Sequence, residues 1–165
     1  MTNQSNSSNQ SLVINQSQPL SGEIKISGAK NAVLVIMASL ILTSGKSKLT
    51  NVPNSSDVFQ MIALLESLGA QINFDPVLGV LEVYTSTINK YKVSSDLMKK
   101  MRASILVMGP LLARFKKAEV ALPGGCVIGA RPIDYHLKLF ARMGIDIQFS
   151  GEFLTASTSM IKSAR

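Results

Sequence analysis

Leu68-Gly69-Ala70-Gln71-Ile72-Asn73-Phe74 and Met143-Gly144-Ile145-Asp146-Ile147-Gln148-Phe149 carry one message twice. A large apolar residue ends a helix, a glycine stops it, and a strand follows in which apolar and polar side chains alternate. Upstream, Asn51-Val52-Pro53 answers Ala121-Leu122-Pro123. Helix, strand, proline, helix, glycine stop, strand, turn, strand thus occurs twice, with a period of roughly 75 residues. That is a duplicated α/β unit rather than a small solenoid repeat.

The units span approximately 22–90 and 91–158. In the first, Gly22 to Ser27 reads as a strand, Lys30 to Thr43 as an apolar helix ended by Ser44-Gly45, and Lys48 to Val52 as a short strand closed by Pro53. A helix starts at Ser56, with Asp57 in its first turn and Val58, Ile62, Leu65 and Leu68 along one face. Gln71 to Phe74 and Val80 to Thr85 pair around a turn at Asp75-Pro76. In the second unit, Ser95 to Phe115 reads as one long helix kinked at Gly109-Pro110. Ala118 to Leu122 is a strand, Pro132 to Met143 a helix, and Asp146 to Phe149 with Phe153 to Ser157 a strand pair. Residues 1–10, almost all Asn, Ser, Gln and Thr, read as a disordered tail.

The copies differ at one place. Between the strand-ending proline and the helix aspartate, the first has only Asn54-Ser55-Ser56, whereas the second runs from Gly124 to Ile133. A scaffold that repeats while one loop grows marks that loop for function.

Composition narrows the classes of function. The chain has 165 residues, 46% hydrophobic and 16% charged, with no Trp, so a core of Leu, Ile, Val, Met and Ala is available. The formal net charge of +7 and a pI near 9.7 favour anionic partners. The basic residues are spread out and not interleaved with aromatics, which argues against a nucleic-acid module. A single cysteine excludes an internal disulfide and a Cys-rich metal site, and suits a reducing compartment. No signal peptide is read at the N-terminus, and the apolar run Ala32 to Leu42 is too short to span a bilayer; the expected location is the cytoplasm.

Cys126 is the first chemical candidate. A free cysteine is usually a small buried hydrophobe, but Gly124, Gly125 and Gly129 leave this thiol exposed, and Arg131 is close enough in sequence to lower its pKa. His136, the only histidine, reads as a partly buried helix residue and not as a catalytic partner. Lys30 opens an apolar helix, where an ammonium opposes the helix field unless an anion binds there. Asn31 beside it can add a hydrogen bond. Arg131 at a helix start can grip a phosphate or carboxylate in two-pronged fashion. Asp134 is as well explained by a favourable first-turn position as by ligand contact. Arg102 lies in a mostly apolar helix and calls for a buried partner or a ligand, or else snorkels to the surface.

Ser27-Gly28-Ala29-Lys30-Asn31, Met101-Arg102-Ala103-Ser104, Gly109-Pro110-Leu111-Leu112-Ala113-Arg114 and the stretch from Leu122 to Asp134 together resemble the enolpyruvyl transferases, in the branch that commits UDP-N-acetylglucosamine to bacterial peptidoglycan synthesis. The resemblance runs from about Val13 to Phe149, and its cysteine loop is absent from the sister enzyme of the shikimate pathway. It implies an inside-out α/β barrel of repeated α/β units, here an incomplete first domain over 11–165 with the second domain absent. It implies transfer of the enolpyruvyl group from phosphoenolpyruvate to the sugar 3-hydroxyl, without metal or organic cofactor. Position by position, Cys126 is implied as general acid. Lys30, Asn31 and Arg131 are implied as phosphoenolpyruvate contacts, and Arg102, Arg131, Pro132, Ile133, Asp134 and Tyr135 as the UDP-N-acetylglucosamine side. Tyr135 stands where the family pattern has Leu. The family's members are more than twice this long, so the expectation is a chain inactive alone and prone to self-association through exposed apolar surface. The competing reading is a non-catalytic fragment that keeps only sugar-nucleotide or anion binding.

Overall fold

The computed structural model describes residues 11–100, 102–121 and 133–163, with backbone alone at 99, 100 and 102–104. Helix α1 (Lys30–Ser39) runs into a 3-10 turn at Leu40–Leu42, followed by β1 (Lys46–Leu49), α2 (Ser56–Ser67) and the hairpin β2 (Gln71–Asp75) and β3 (Val80–Tyr84). Then come α3 (Ser95–Lys100), a 3-10 stretch Arg102–Val107, α4 (Met108–Phe115), β4 (Lys117–Ala121), α5 (Asp134–Arg142), and the hairpin β5 (Asp146–Ser150) and β6 (Phe153–Ser157).

The duplication is visible in the sheets. One has the strand order β1-β3-β2, the other β4-β6-β5, and every neighbouring pair is antiparallel. Lys46 of β1 and Gln71 of β2 both lie opposite Tyr84; Lys117 of β4 and Asp146 of β5 both lie opposite Ser157. The last strand of each unit therefore sits between the other two, which run parallel to each other and are joined by a crossover through α2 or the segment holding α5.

The glycine stops are also matched. Gly69 donates to the Glu66 carbonyl at 2.9 Å and Ala70 to that of Leu65 at 3.0 Å; Gly144 donates to Ala141 and Ile145 to Phe140, both at 3.0 Å. Both glycines have positive φ (+108° and +77°), the left-handed geometry that lets a helix turn its last carbonyls inward. In the first hairpin, Asp75 Oδ1 accepts the Val77 and Leu78 N–H groups at 2.9 Å each, which closes the tight turn.

The core is continuous. It takes Val33, Leu34 and Met37 from α1, Val58, Met61, Leu64 and Leu65 from α2, and Leu111 and Leu112 from α4, packed on Leu81, Val83, Val120 and Leu154 of the sheets. Among the described residues no helix is long and apolar enough to cross a membrane.

Several boundaries differ from those read in the sequence. Gly22 to Ser27 is not a strand: it is unpaired, with Ile24 and Ile26 at 87% and 83% exposure. Its counterpart in the second unit does pair, because Glu119 N–H donates to the Tyr91 carbonyl and Val93 N–H to the Glu119 carbonyl, both at 2.9 Å. The long helix Ser95 to Phe115 is three pieces, and the break precedes Met108. Pro110 lies in the first turn of α4, where a proline is tolerated, and the change from 3-10 to α geometry falls at Val107 and Met108, just before Gly109. The first helix ends at Ser39 and tightens into the 3-10 turn. The first strand lies at Lys46–Leu49 instead of Lys48 to Val52, cut off before Asn51, whose φ is +56°. The helix expected from Pro132 is described from Asp134. The expected tail, residues 1–10, lies outside the described residues.

Candidate active site

The entrance to α1 is set by a close backbone approach. A Cβ on Gly28 would stand 2.0 Å from the Asn51 carbonyl oxygen, so only glycine lets the chain pass the turn after β1. Ala29 then takes an extended conformation as the residue before the helix and offers no side-chain cap to the first N–H groups of α1. An open hollow of about 380 Å³ adjoins this entrance, lined in part by Gly28, Ala29, Ala32 and Asn51.

Lys30 is the first residue of α1. Its Nζ meets Asp57 Oδ2 at 2.5 Å, with side-chain exposures of 51% for the lysine and 26% for the aspartate. Asp57 belongs to the first turn of α2, the position at which the helix field favours a carboxylate. Asn31 is exposed next to Lys30. In the same turn region Ser55 Oγ is buried without a hydrogen-bond partner among the described residues.

In the second unit, Ile133 precedes α5 and packs half-buried on the core. Asp134 opens α5. Its Oδ2 takes Lys138 Nζ from one turn on at 3.4 Å, while Oδ1 is buried without a partner among the described residues. Tyr135 points outward at 77% exposure, with Lys138 Nζ 5.5 Å from its ring centre. His136 is exposed, not partly buried, because α5 buries none of its residues fully and presents that face to solvent. Cys126, Arg131 and Pro132 lie outside the described residues, as does the Arg102 side chain, although the Arg102 backbone opens the 3-10 stretch before α4.

The structure thus joins Lys30 to a partner that the sequence reading had assigned only to its own helix. The repeat carries the signal for it: Asp57 and Asp134 hold the same place in the two units. Arg114, quoted in the resemblance without a role, proves to be a joint. Its guanidinium donates to the carbonyls of Ile41, Thr43 and Thr85 at 2.9 Å and of Ile88 at 3.3 Å.

Matched sheets, matched helix stops and a helix entrance that carries a lysine paired with the neighbouring helix define a duplicated α/β protein. The sequence profile of EPSP synthase (3-phosphoshikimate 1-carboxyvinyltransferase) matches residues 14–163, and the chain belongs to this family. It is 48% identical over 149 residues to a UDP-N-acetylglucosamine 1-carboxyvinyltransferase of Campylobacter jejuni subsp. jejuni serotype O:23/36 (strain 81-176), covering 90% of this chain and 35% of that protein. It is 49% identical over 144 residues to the protein of that name in Cellvibrio japonicus (strain Ueda107), covering 87% and 34%. The chain therefore spans about a third of the length of these curated relatives. Among solved structures, the enolpyruvyl transferase NikO from Streptomyces tendae superposes with a TM-score of 0.74 at 17% identity, over 87% of this chain and 31% of that one. EPSP synthase from Acinetobacter baumannii superposes with a TM-score of 0.56 at 16% identity, over 84% and 32%. These two likenesses speak for the fold.

Proposed function

We propose that the chain supplies the first-domain share of an enolpyruvyl transferase acting on phosphoenolpyruvate and UDP-N-acetylglucosamine, in the first committed step of peptidoglycan synthesis. The observation that carries this reading is identity of 44–49% with proteins bearing the name UDP-N-acetylglucosamine 1-carboxyvinyltransferase, over about nine-tenths of this chain.

In this reading Cys126 delivers a proton to the methylene carbon of phosphoenolpyruvate. The sugar 3-oxygen bonds to the neighbouring carbon as its own proton leaves, giving a tetrahedral phospho-ketal. Loss of a proton from the new methyl group and departure of phosphate restore the double bond on the sugar. Lys30, Asn31 and Arg131 hold the phosphate and carboxylate of phosphoenolpyruvate, and fixed cations there offset the charge that shifts onto the leaving group. Arg102, Arg131, Pro132, Ile133, Asp134 and Tyr135 form the sugar-nucleotide side. The two units are part of an inside-out α/β barrel, the protein works in the cytoplasm, and its product serves cell shape and division.

The test is covalent. The epoxide fosfomycin should alkylate Cys126 in this chain, seen as one adduct by peptide mass spectrometry and absent in C126A. Calorimetric titration with UDP-N-acetylglucosamine should show saturable binding weakened by R102Q. A chain that takes no adduct and binds no sugar nucleotide overturns the reading.

A further inference from the structure

We propose that Asp57 is a positioning residue for Lys30: from the first turn of α2 its carboxylate holds the lysine ammonium at the entrance of α1, directed toward the anionic groups of phosphoenolpyruvate. The proposal rests on the reading of the preceding subsection and adds to it a residue from the neighbouring helix.

Lys30 Nζ lies 2.5 Å from Asp57 Oδ2, across two helices that pack on each other. The partners are not equivalent. Asp57 is the more buried, and its own helix favours a carboxylate at that position. Lys30 is half exposed and stands where the field of α1 repels a cation. A lysine side chain has a long, mobile stem, and ordering it is costly. Left alone, this one would extend into solvent; the carboxylate holds it in place. Stability does not account for the pairing, since exposed ion pairs contribute about 1 kcal/mol or less. An ammonium has three protons to donate. One engaged by Asp57 leaves two for an incoming anion.

The repeat sharpens the point. Asp134, which occupies the matching place in the second unit, turns instead to Lys138 on its own helix at 3.4 Å. The cross-helix pair belongs to the unit that holds two of the three phosphoenolpyruvate contacts the family resemblance implies, Lys30 and Asn31.

Phosphoenolpyruvate titrated into the wild-type chain, K30Q, D57N, D57E and K30Q/D57N, with melting temperatures recorded in parallel, tests this. K30Q should weaken binding more than about tenfold and D57N about five- to tenfold. D57E should bind within about twofold of wild type, because it restores the charge. Melting temperatures should stay close to that of wild type throughout. In the K30Q background D57N should add nothing, the mark of a residue that acts through Lys30. Equal affinity of D57N and wild type, tighter binding by D57N, or a further loss in the double variant would overturn the proposal while leaving the functional reading intact. A wild-type chain that ignores phosphoenolpyruvate overturns both.

Discussion

Arg114 shows how much a single side chain can tie together. Its planar guanidinium serves four backbone carbonyls at the end of the first helix and the end of β3, groups that no sheet or helix ladder reaches. Next to it, Thr85, the buried polar residue of the described core, donates to the Thr43 carbonyl at 2.9 Å. We expect Arg114→Ala to destabilise the chain by about 1 to 3 kcal/mol, because the Ile41 and Ile88 carbonyls lose their Arg114 donor while those of Thr43 and Thr85 keep Thr85 Oγ1 and the Ile88 N–H. Arg114→Lys should recover less than half of that, since one ammonium cannot span a fork of four acceptors; urea denaturation of the three chains measures both. The sequence marks Arg114 only as one letter of a motif, because its partners are main-chain atoms, which have no signature in a side-chain pattern. That Lys30 opens a helix was legible from its place before an apolar run. Asp57 as its partner was not, because pairing across helices depends on packing.

At the scale of elements, the glycine stops and the hairpins were readable because their chemistry is local. Gly69 needs a positive φ, and Asp75 closes its own turn. Gly69→Ala should cost about 1 to 3 kcal/mol, since φ is +108° and the new Cβ would lie 2.7 Å from the Thr87 carbonyl. Gly45→Ala, at an ordinary φ with open space around it, should stay within about 0.5 kcal/mol of wild type. Thermal melts of the pair separate conformational need from mere loss of a glycine. Gly28→Ala should cost about 1 to 3 kcal/mol through the clash with Asn51, and should weaken phosphoenolpyruvate binding because it moves the entrance of α1. The segment Ser95 to Phe115 misled for an equally physical reason. Its written break signal, Gly109-Pro110, falls inside the first turn of α4, where proline is tolerated, while the change from 3-10 to α geometry at Val107 and Met108 has no signal of its own in the side chains. In Gly22 to Ser27 the alternation describes side chains, while a strand needs a second backbone beside it.

For the whole molecule, the repeat was the most informative signal, since two copies read each other's boundaries and expose the enlarged loop around Cys126 as an insertion. The repeat does not say which surfaces remain uncovered. Val35 and Ile36 of α1 and Phe59 of α2 are exposed, and exposed apolar side chains of this size favour association. Sedimentation velocity should show an average mass that rises with concentration, and the double variant V35K/I36K should reduce it. A mass constant at the monomer value across the series would contradict this.

The two sheets have a consequence for the order of folding. All strands of one come from Lys46 to Tyr84 and all strands of the other from Lys117 to Ser157. Each sheet closes over short chain separations, the condition for rapid folding. During synthesis the first sheet is complete in sequence before any strand of the second leaves the ribosome. Arg114 emerges between the two, and the carbonyls of Ile41, Thr43, Thr85 and Ile88 all precede it in the chain. Its four partners are therefore already made when α4 is synthesised, and Arg114 can tie that helix to the first unit before β4 follows.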